Sequence, residues 1–546
     1  IGYIFGQVSG GGTVSVENLG TGLKREISVD ADGNFRASSL PTGRYKVTYN
    51  GQSKEVVVNV GTGSAVSFAD ASTLGVVEVT GSAINPIDIS SVESTTILTS
   101  EQIAKIPVAR NVTQVALLAP GTVRGDAAFG NLASFGGSSV SENAYFVNGF
   151  NITNAFKNLA FAQLPFEAIA EQQVKTGGYG AEFGRSTGGV INIITKRGSN
   201  EFQAGGNVFW TPEALRETNP DLYYNNGQLV SDNSKDNGTS TTAAVWASGA
   251  LIQDRLFAYG LVQYAKSESD SFPGTVTGFS GGSNVSFNEK SPLWLLKLDW
   301  NISDNHLLEM TAFSDERNSE DDYYTTAFGT QADPSTEPNR NAYQGTFFND
   351  QGGNNYSLKY TGYLTDNFTL SALYGHGEYS RTNYAVTAGG IVERYAGNVQ
   401  GDVAGCPRII DSRPLAVRQA SGDLIGCNFI GALFGRPDAE DTRDQFRIDG
   451  EWVLGDHLIR FGYDADEFTS VDGEADEGGV RYQFAQGTVA NPYGGFVRRT
   501  IFRTGAEVGV DQEAFYVQDS WQATDNFLLY AGLRWALQQA SHGAYA

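Results

Sequence analysis

The sequence predicts an all-β chain, most of it a transmembrane β-barrel, and three observations carry that prediction. First, a short Asp/Asn turn recurs at 252–256, 302–306, 364–368, 454–458 and 523–527, around Asp254, Asp304, Asp366, Asp456 and Asp525. Asp and Asn suit tight turns because their side chains bond nearby backbone and tolerate left-handed geometry. Second, a strand, a long polar loop and another strand separate one turn from the next. Tight turns at one end of a sheet and long loops at the other are the pattern of an outer-membrane barrel. Third, the strands alternate between two chemistries. Trp294, Leu296, Leu298 and Trp300 face one way, Lys297 and Asp299 the other. Side chains alternate along a strand, so this pattern implies a different solvent on each face.

Other strands repeat the pattern. In 446–454, Phe446, Ile448, Gly450, Trp452 and Leu454 oppose Arg447, Asp449 and Glu451. Tyr356, Leu358, Tyr360 and Leu364, then Phe527, Leu529, Leu533 and Trp535, form apolar stripes with aromatics near their ends, as at membrane interfaces. The stripe also fits a soluble antiparallel sheet with one wet face; the turn and loop asymmetry favours the barrel. Leu296, Leu298, Ile448, Trp452, Leu529 and Leu533 are expected to face lipid. Lys297, Asp299, Arg447, Asp449, Glu451 and Arg534 are expected to face the lumen.

The 546 residues suffice for several domains. A net charge of -24 argues against nucleic-acid binding, which needs a basic footprint. No apolar run approaches the ~18 residues of a membrane helix, so a membrane-spanning form of this chain has to be a closed barrel. The chain begins at Ile1 with no signal-peptide pattern, so a leader is expected to have been removed or the start to be missing. Cys406 and Cys427 both fall in the longest inter-strand loop. A disulfide there would close a loop of about 20 residues and contribute about 3 kcal/mol in the chain-entropy model; two free thiols are the alternative.

In chain order, residues 1–70 read as a β-sandwich with short strands at 3–8, 13–16, 25–29, 45–49 and 55–60, punctuated by Asp32-Gly33-Asn34 and Pro41-Thr42-Gly43. Residues 71–80 are apolar and β-branched. Residues 81–200 read as mixed α/β, with a helix start at Thr99-Ser100-Glu101-Gln102, helical spacing over 111–118 and a buried strand over 190–195. The barrel occupies 201–546. Its eleven strands are expected near 202–210, 242–252, 256–266, 293–301, 306–316, 355–364, 368–380, 444–454, 457–468, 512–522 and 526–537. Loops 212–241, 267–292, 317–354, 381–443 and 469–511 are expected outside the cell.

Several segments resemble known families. Asp30-Ala31-Asp32-Gly33-Asn34-Phe35 with Leu40-Pro41-Thr42-Gly43-Arg44-Tyr45 resembles the carboxypeptidase regulatory-like domain, a transthyretin-like accessory sandwich without peptidase activity. Tyr145-Phe146-Val147-Asn148-Gly149-Phe150 resembles the "DG" segment of TonB-dependent outer-membrane receptors, with Asn148 where Asp is usual. The run from Gly180 through Glu182, Gly184, Arg185, Gly188 and Gly189 to Lys196 resembles the end of their plug domain. With the sandwich in front, the chain is similar to the Oar-like branch. The resemblance implies a plug inside a barrel of about 22 strands. Eleven strands would be its first half, with the C-terminal half missing after an outer loop begins.

It also implies an active transporter or receptor that imports an external ligand, its identity open, using energy from the TonB complex. Val76, Val77, Glu78, Val79 and Thr80 resemble a TonB box, which pairs by strand addition; the same residues also suit a first plug strand. A surface-adhesion or protein-secretion component on the same barrel is the alternative. The implied surroundings are outer-membrane lipid and lipopolysaccharide, with surface or periplasmic accessory proteins as further partners.

No enzyme activity and no cofactor are expected. Glycines 177, 178, 180, 184, 188 and 189 lack the Gly-Lys-Ser/Thr element of a phosphate loop, and close approach inside the plug explains them better. Glu182 and Arg185 fit either lumen charges on the barrel wall or a solvated local pair. The histidines 306, 376, 457 and 542 have no metal-ligand spacing. The acidic stretch 315–324 lacks EF-hand spacing and reads as a solvated loop.

Overall fold

The computed structural model describes residues 1–68, 92–154, 159–184, 186–223, 225, 227, 229–231, 233–272, 283–327, 339–395, 407–424, 426, 433–524 and 527–543. The segment 76–80, Arg185, Cys406 and Cys427 lie outside the described residues.

The N-terminal unit is a sandwich of two sheets. One has three strands in the order Asn34–Leu40, Gly2–Gln7, Gly63–Ser67; the other has four in the order Lys24–Ser28, Thr13–Asn18, Gly43–Tyr49, Gln52–Val58. Val14, Val16, Phe35, Tyr45, Val47 and Val58 are buried between them. The strands Asn34–Leu40 and Gly63–Ser67 were not legible in the sequence. The first is rich in Ser and Arg and the second in small residues, so neither carries a β-branched run. They form because each lies beside Gly2–Gln7 and completes its hydrogen bonding, one antiparallel and one parallel.

The plug follows. Its five-stranded sheet runs Phe150–Asn151, Ala144–Val147, Val190–Thr195, Ile169–Gly177, Ser94–Thr99. Thr99 caps the helix Ser100–Lys105 and Gln102 returns the bond, forming a capping box. Asn111 caps the helix Val112–Ala116. Tyr145, Val147, Ile191 and Ile193 pack in one core with Tyr259, Leu261, Leu295 and Phe313 of the barrel wall. The lumen face is therefore apolar where the plug rests on it, and polar elsewhere. Sequence alternation marked only the polar part.

Eleven antiparallel strands form the barrel wall: Gln203–Thr211, Asn237–Ile252, Leu256–Ser271, Ser283–Ser303, His306–Ser314, Asn354–Thr365, Phe368–Thr387, Glu440–Leu454, His457–Asp472, Ala506–Thr524 and Phe527–Gly543. The tight turns join them in pairs. Asp254 sits at φ 60° and Gly455 at φ 56°, the left-handed backbone such turns need. Two faces separate along the inner strands of this sheet. Lys297 is 1% exposed and Asp299 5%, whereas Trp294 is 36% and Trp300 46%. Trp452, Leu529 and Leu533 are exposed on the outer face; Leu296, Leu298 and Ile448 are half-exposed there. At the tight-turn rim His457 stacks on Trp521 at 5.3 Å and reaches Asp519 at 2.7 Å, and His306 meets the Tyr360 hydroxyl at 2.7 Å.

The long-loop end is more ordered than the sequence suggested. Arg317–Ala327 and Asn339–Gly352 continue the wall outward, so most of the acidic stretch 315–324 is strand, not loop. Among the described residues no group of carboxylates, histidines or cysteines could hold a metal. Arg408–Ser412, Glu474–Ala485, Phe434–Gly435 and Phe496–Arg503 form a separate small sheet there. Beside it, Asp411 accepts from the Arg413 guanidinium at 2.6 Å and the Leu424 amide at 2.9 Å. The Arg413 contact holds the Asp411 carboxyl down to about 2. A depressed carboxyl contributes stability above its ordinary value that is lost as pH falls through the folded one. Hydrogen exchange over 408–424 should therefore stay slow at pH 4 and quicken below about pH 3.

Leu296 lies in the lipid-facing stripe between Trp294 and Trp300, so Leu296→Arg should destabilise by about 2–4 kcal/mol at midplane depth. Ser371 lines the wet lumen, and Ser371→Arg should cost far less. Folding titrations into lipid vesicles measure both, and equal costs would mean the faces are misassigned.

Candidate functional site

The chemistry of this molecule concentrates where the plug meets the barrel wall. Glu182 stands in the centre of one cluster. The segment around it approaches the wall closely because its neighbours are glycines. A Cβ at Gly180 would strike the Tyr530 hydroxyl and the Gln518 amide, and one at Gly184 would lie 2.7 Å from the Arg534 guanidinium. Gly188 and Gly189 serve packing inside the plug instead, where a Cβ would meet Asn143 and the Phe135 ring.

That approach puts the Glu182 carboxylate 3.7 Å from Arg447 and 3.5 Å from Arg460. Arg447 also donates to the Glu182 carbonyl at 3.2 Å, and Arg534 donates to the Ala181 carbonyl at 3.4 Å. Each arginine has a carboxylate of its own on the wall: Asp449 at 2.8 Å for Arg447, Glu451 at 2.7 Å for Arg460, Asp464 at 2.9 Å for Arg534. The contact is thus a loan. The plug shares cations that the wall already neutralises, and it can leave without stranding a bare charge in the lumen.

A second cluster holds the plug's exit. Arg197 pairs with Glu309 and lies 3.7 Å from Asp299. Lys297 completes the group, 3.2 Å from Asp299 and 3.3 Å from Glu309. Lys359 stands opposite Glu309 on the paired strand, so loss of Arg197 would leave the two carboxylates to two lysines. Lys297 and Asp299 were expected on the lumen face; Arg197 and Glu309 were not singled out. The signal was available, since Glu309 alternates with Leu308 and Met310, and Arg197 follows the plug motif directly.

Asn148 explains its own departure from Asp. It sits at φ 52°, which Asn tolerates. Its Oδ1 accepts from the Thr195 amide at 3.1 Å. Its Nδ2 donates to Thr195 Oγ1 at 2.8 Å and to Thr311 Oγ1 of the wall at 2.9 Å. The Thr195 N–H needs an acceptor, which fixes the amide orientation. A carboxylate could only accept, so Asn supplies the donor toward the barrel. Further toward the long-loop end, Asp315 accepts from the Gln163 and Gly353 amides, each at 3.0 Å, and Gln445 accepts from the Asn151 amide at 2.9 Å. Within the plug, burial pushes the Glu171 carboxyl up, against the opposing effect of the Val60 amide it accepts from.

These contacts can hold a domain and release it. Glu182→Gln should weaken plug retention by about 1–2 kcal/mol, because both arginines keep a second carboxylate. Arg197→Ala should cost about 3 kcal/mol, because it removes the plug's own partner of Glu309 and the buried Asp299. Denaturant titration of plug release, with barrel integrity followed by unboiled gel mobility, checks both. A plug held as firmly in Arg197→Ala as in the wild type would remove the charge contacts from retention.

Known proteins share the domains in which these contacts lie. A family model described as an outer membrane beta barrel domain matches residues 211–545, and one described as the TonB-dependent receptor plug domain matches residues 88–190. The TonB-dependent transporter Oar of Myxococcus xanthus is 30% identical over 253 residues, which is 43% of this chain and 23% of that protein. Among solved structures, the outer membrane transporter YddB from Escherichia coli superposes with a TM-score of 0.55 at 15% identity, over 82% of this chain and 57% of that one. The chain therefore spans less than a quarter of the curated relative and little more than half of the solved one. It belongs to the outer membrane β-barrel family and carries, inside that barrel, the plug domain of TonB-dependent receptors.

Proposed function

We propose that this chain is part of an active outer-membrane transporter that binds an external ligand and imports it with energy supplied through TonB. The observation that carries this reading is a folded plug held in a barrel lumen by shared charges. An occluded passage of this kind is useful only if something displaces the plug. The likeness to a protein described as a TonB-dependent transporter supports the same reading. Adhesion or secretion through the same barrel is the competing reading; no contact in the structure favours it over import.

The contact with the energy-coupling partner is assigned to Leu74 through Thr80, with Val76, Val77, Glu78, Val79 and Thr80 as the pairing strand. Val77→Pro removes a backbone donor and fixes φ, which should prevent strand addition. Uptake of radiolabelled small molecules or peptides recovered with the purified receptor should fail in this variant while surface binding persists. Unchanged uptake would place the contact elsewhere.

Cys406 and Cys427 are assigned to one disulfide. Their neighbours support it: Gly426 packs directly against the Pro407 carbonyl and the Ile409 amide, 2.8 Å from where its Cβ would stand. Non-reducing peptide mapping should recover both cysteines in one cross-linked fragment. Alkylation of both without prior reduction would sink the assignment.

A further inference from the structure

The sandwich does not hang free below the barrel. It is seated on the rim made by four of the five tight turns. Gly22 lies against Asp254 of the first. Leu23 packs with Leu307, next to the second, and with Tyr363, and all three are buried. The Arg25 guanidinium lies 3.8 Å over the Tyr363 ring, beside the third turn, and the Tyr363 hydroxyl donates to the Ser39 carbonyl at 2.9 Å. Ser28 Oγ donates to Asp366 at 2.7 Å, and Ser39 Oγ to Glu451, near the fourth turn, at 3.2 Å.

The same unit touches the plug from below. The Val60 amide donates to Glu171 at 2.8 Å, and Gln173 donates to the Val60 carbonyl at 3.1 Å. Val60 also packs on Ile97 and Ile194. Between sandwich, plug and the described wall strands lies an open-sided cavity of about 1050 Å³, whose lining includes Arg36, Asn148, Lys359, Arg447, Glu451 and Tyr516.

Two features make this seat reversible. The sandwich core, built on Val14, Val47 and Val58, shares no residue with the plug and barrel core. The unit can therefore leave intact, without paying for unfolding. The seat itself is two small apolar clusters, at Leu23 and at Val60, among a few polar contacts, the make-up of inter-domain surfaces that separate.

We propose that the sandwich is a second gate, in series with the plug: seated, it closes the tight-turn mouth of the barrel, and cargo leaves the cavity only when the sandwich undocks as a folded unit. The proposal rests on the transport reading for what passes, but not for whether the mouth is closed.

The geometry supplies its own lock. A Cβ on Gly20 would stand 3.6 Å from the Ser199 Cβ, inside the span of a disulfide. Gly20→Cys with Ser199→Cys tethers the sandwich to the junction between plug and barrel. Ser520 lines the cavity, and Ser520→Cys, with Cys406→Ser and Cys427→Ser, reports access to it. The probe is a charged maleimide admitted to the periplasm of cells carrying the full receptor, with labelling at position 520 read by peptide mapping. Labelling should be slow in de-energised cells and rise on energisation. The rise should be lost when the tether is oxidised and return on reduction. Leu23→Glu, which breaks the apolar seat, should raise labelling without energisation, and the tether should suppress that rise too. Labelling indifferent to the tether, in energised cells and in Leu23→Glu alike, would overturn the gate. Labelling that responds to Leu23→Glu and to the tether but never to energisation would keep the gate and overturn energy-coupled transport.

Discussion

Everything in this molecule depends on a strand's side chains alternating between two solvents. One face of the wall meets lipid and must be apolar; the other is free to carry charge. Because the wall turns its charge inward, the lumen becomes a place where a folded domain can be held by polar contacts around one apolar patch. Arg447, Arg460 and Arg534 illustrate the consequence. Each is paired with a wall carboxylate, on its own strand for Arg447, on the neighbouring strand for Arg460 and two strands away for Arg534, so departure of the plug leaves none of the three unpaired. A lumen of unpaired arginines would bind Glu182 more tightly and would resist opening.

The same logic separates two kinds of plug contact. At the Glu182 cluster the plug brings a carboxylate to arginines that are already paired, whereas at the Arg197 cluster it brings a cation to the wall carboxylates Glu309 and Asp299. The first favours easy departure and the second favours return. Between them the apolar patch of Tyr259, Leu261, Leu295 and Phe313 fixes the plug's position by burial, which is non-directional and tolerates small shifts.

The barrel was legible in the sequence because its signal is local. Period-two alternation and Asp/Asn turns can be read within ten residues, and all eleven strands lie where they were expected, though most run further at the long-loop end. That extension was hidden because strands above the membrane need no apolar stripe; 317–327 is acidic and polar yet fully paired. The plug segment was legible by resemblance, but the roles of Gly180 and Gly184 were not, since each is set by a wall residue hundreds of positions away, such as Tyr530 facing Gly180. Asn34–Leu40 escaped for the related reason that its partner, not its composition, makes it a strand.

The seat of the sandwich was the least legible feature, because no periodicity encodes it. Leu23, Arg25 and Ser39 are ordinary turn and strand residues until Tyr363 meets all three. The chain order gives their meeting a mechanical sense. The sandwich ends at Ser67 and the plug sheet begins with Ser94–Thr99, an edge strand paired on one side only. A force applied to the chain between them acts on both stoppers at once: on the sandwich through its last strand, and on the plug through the strand with fewest partners. The central plug strands, Val190–Thr195 and Ile169–Gly177, are each paired on both sides and would yield last. On the gate proposed above, one point of attachment between the sandwich and the plug would therefore serve both.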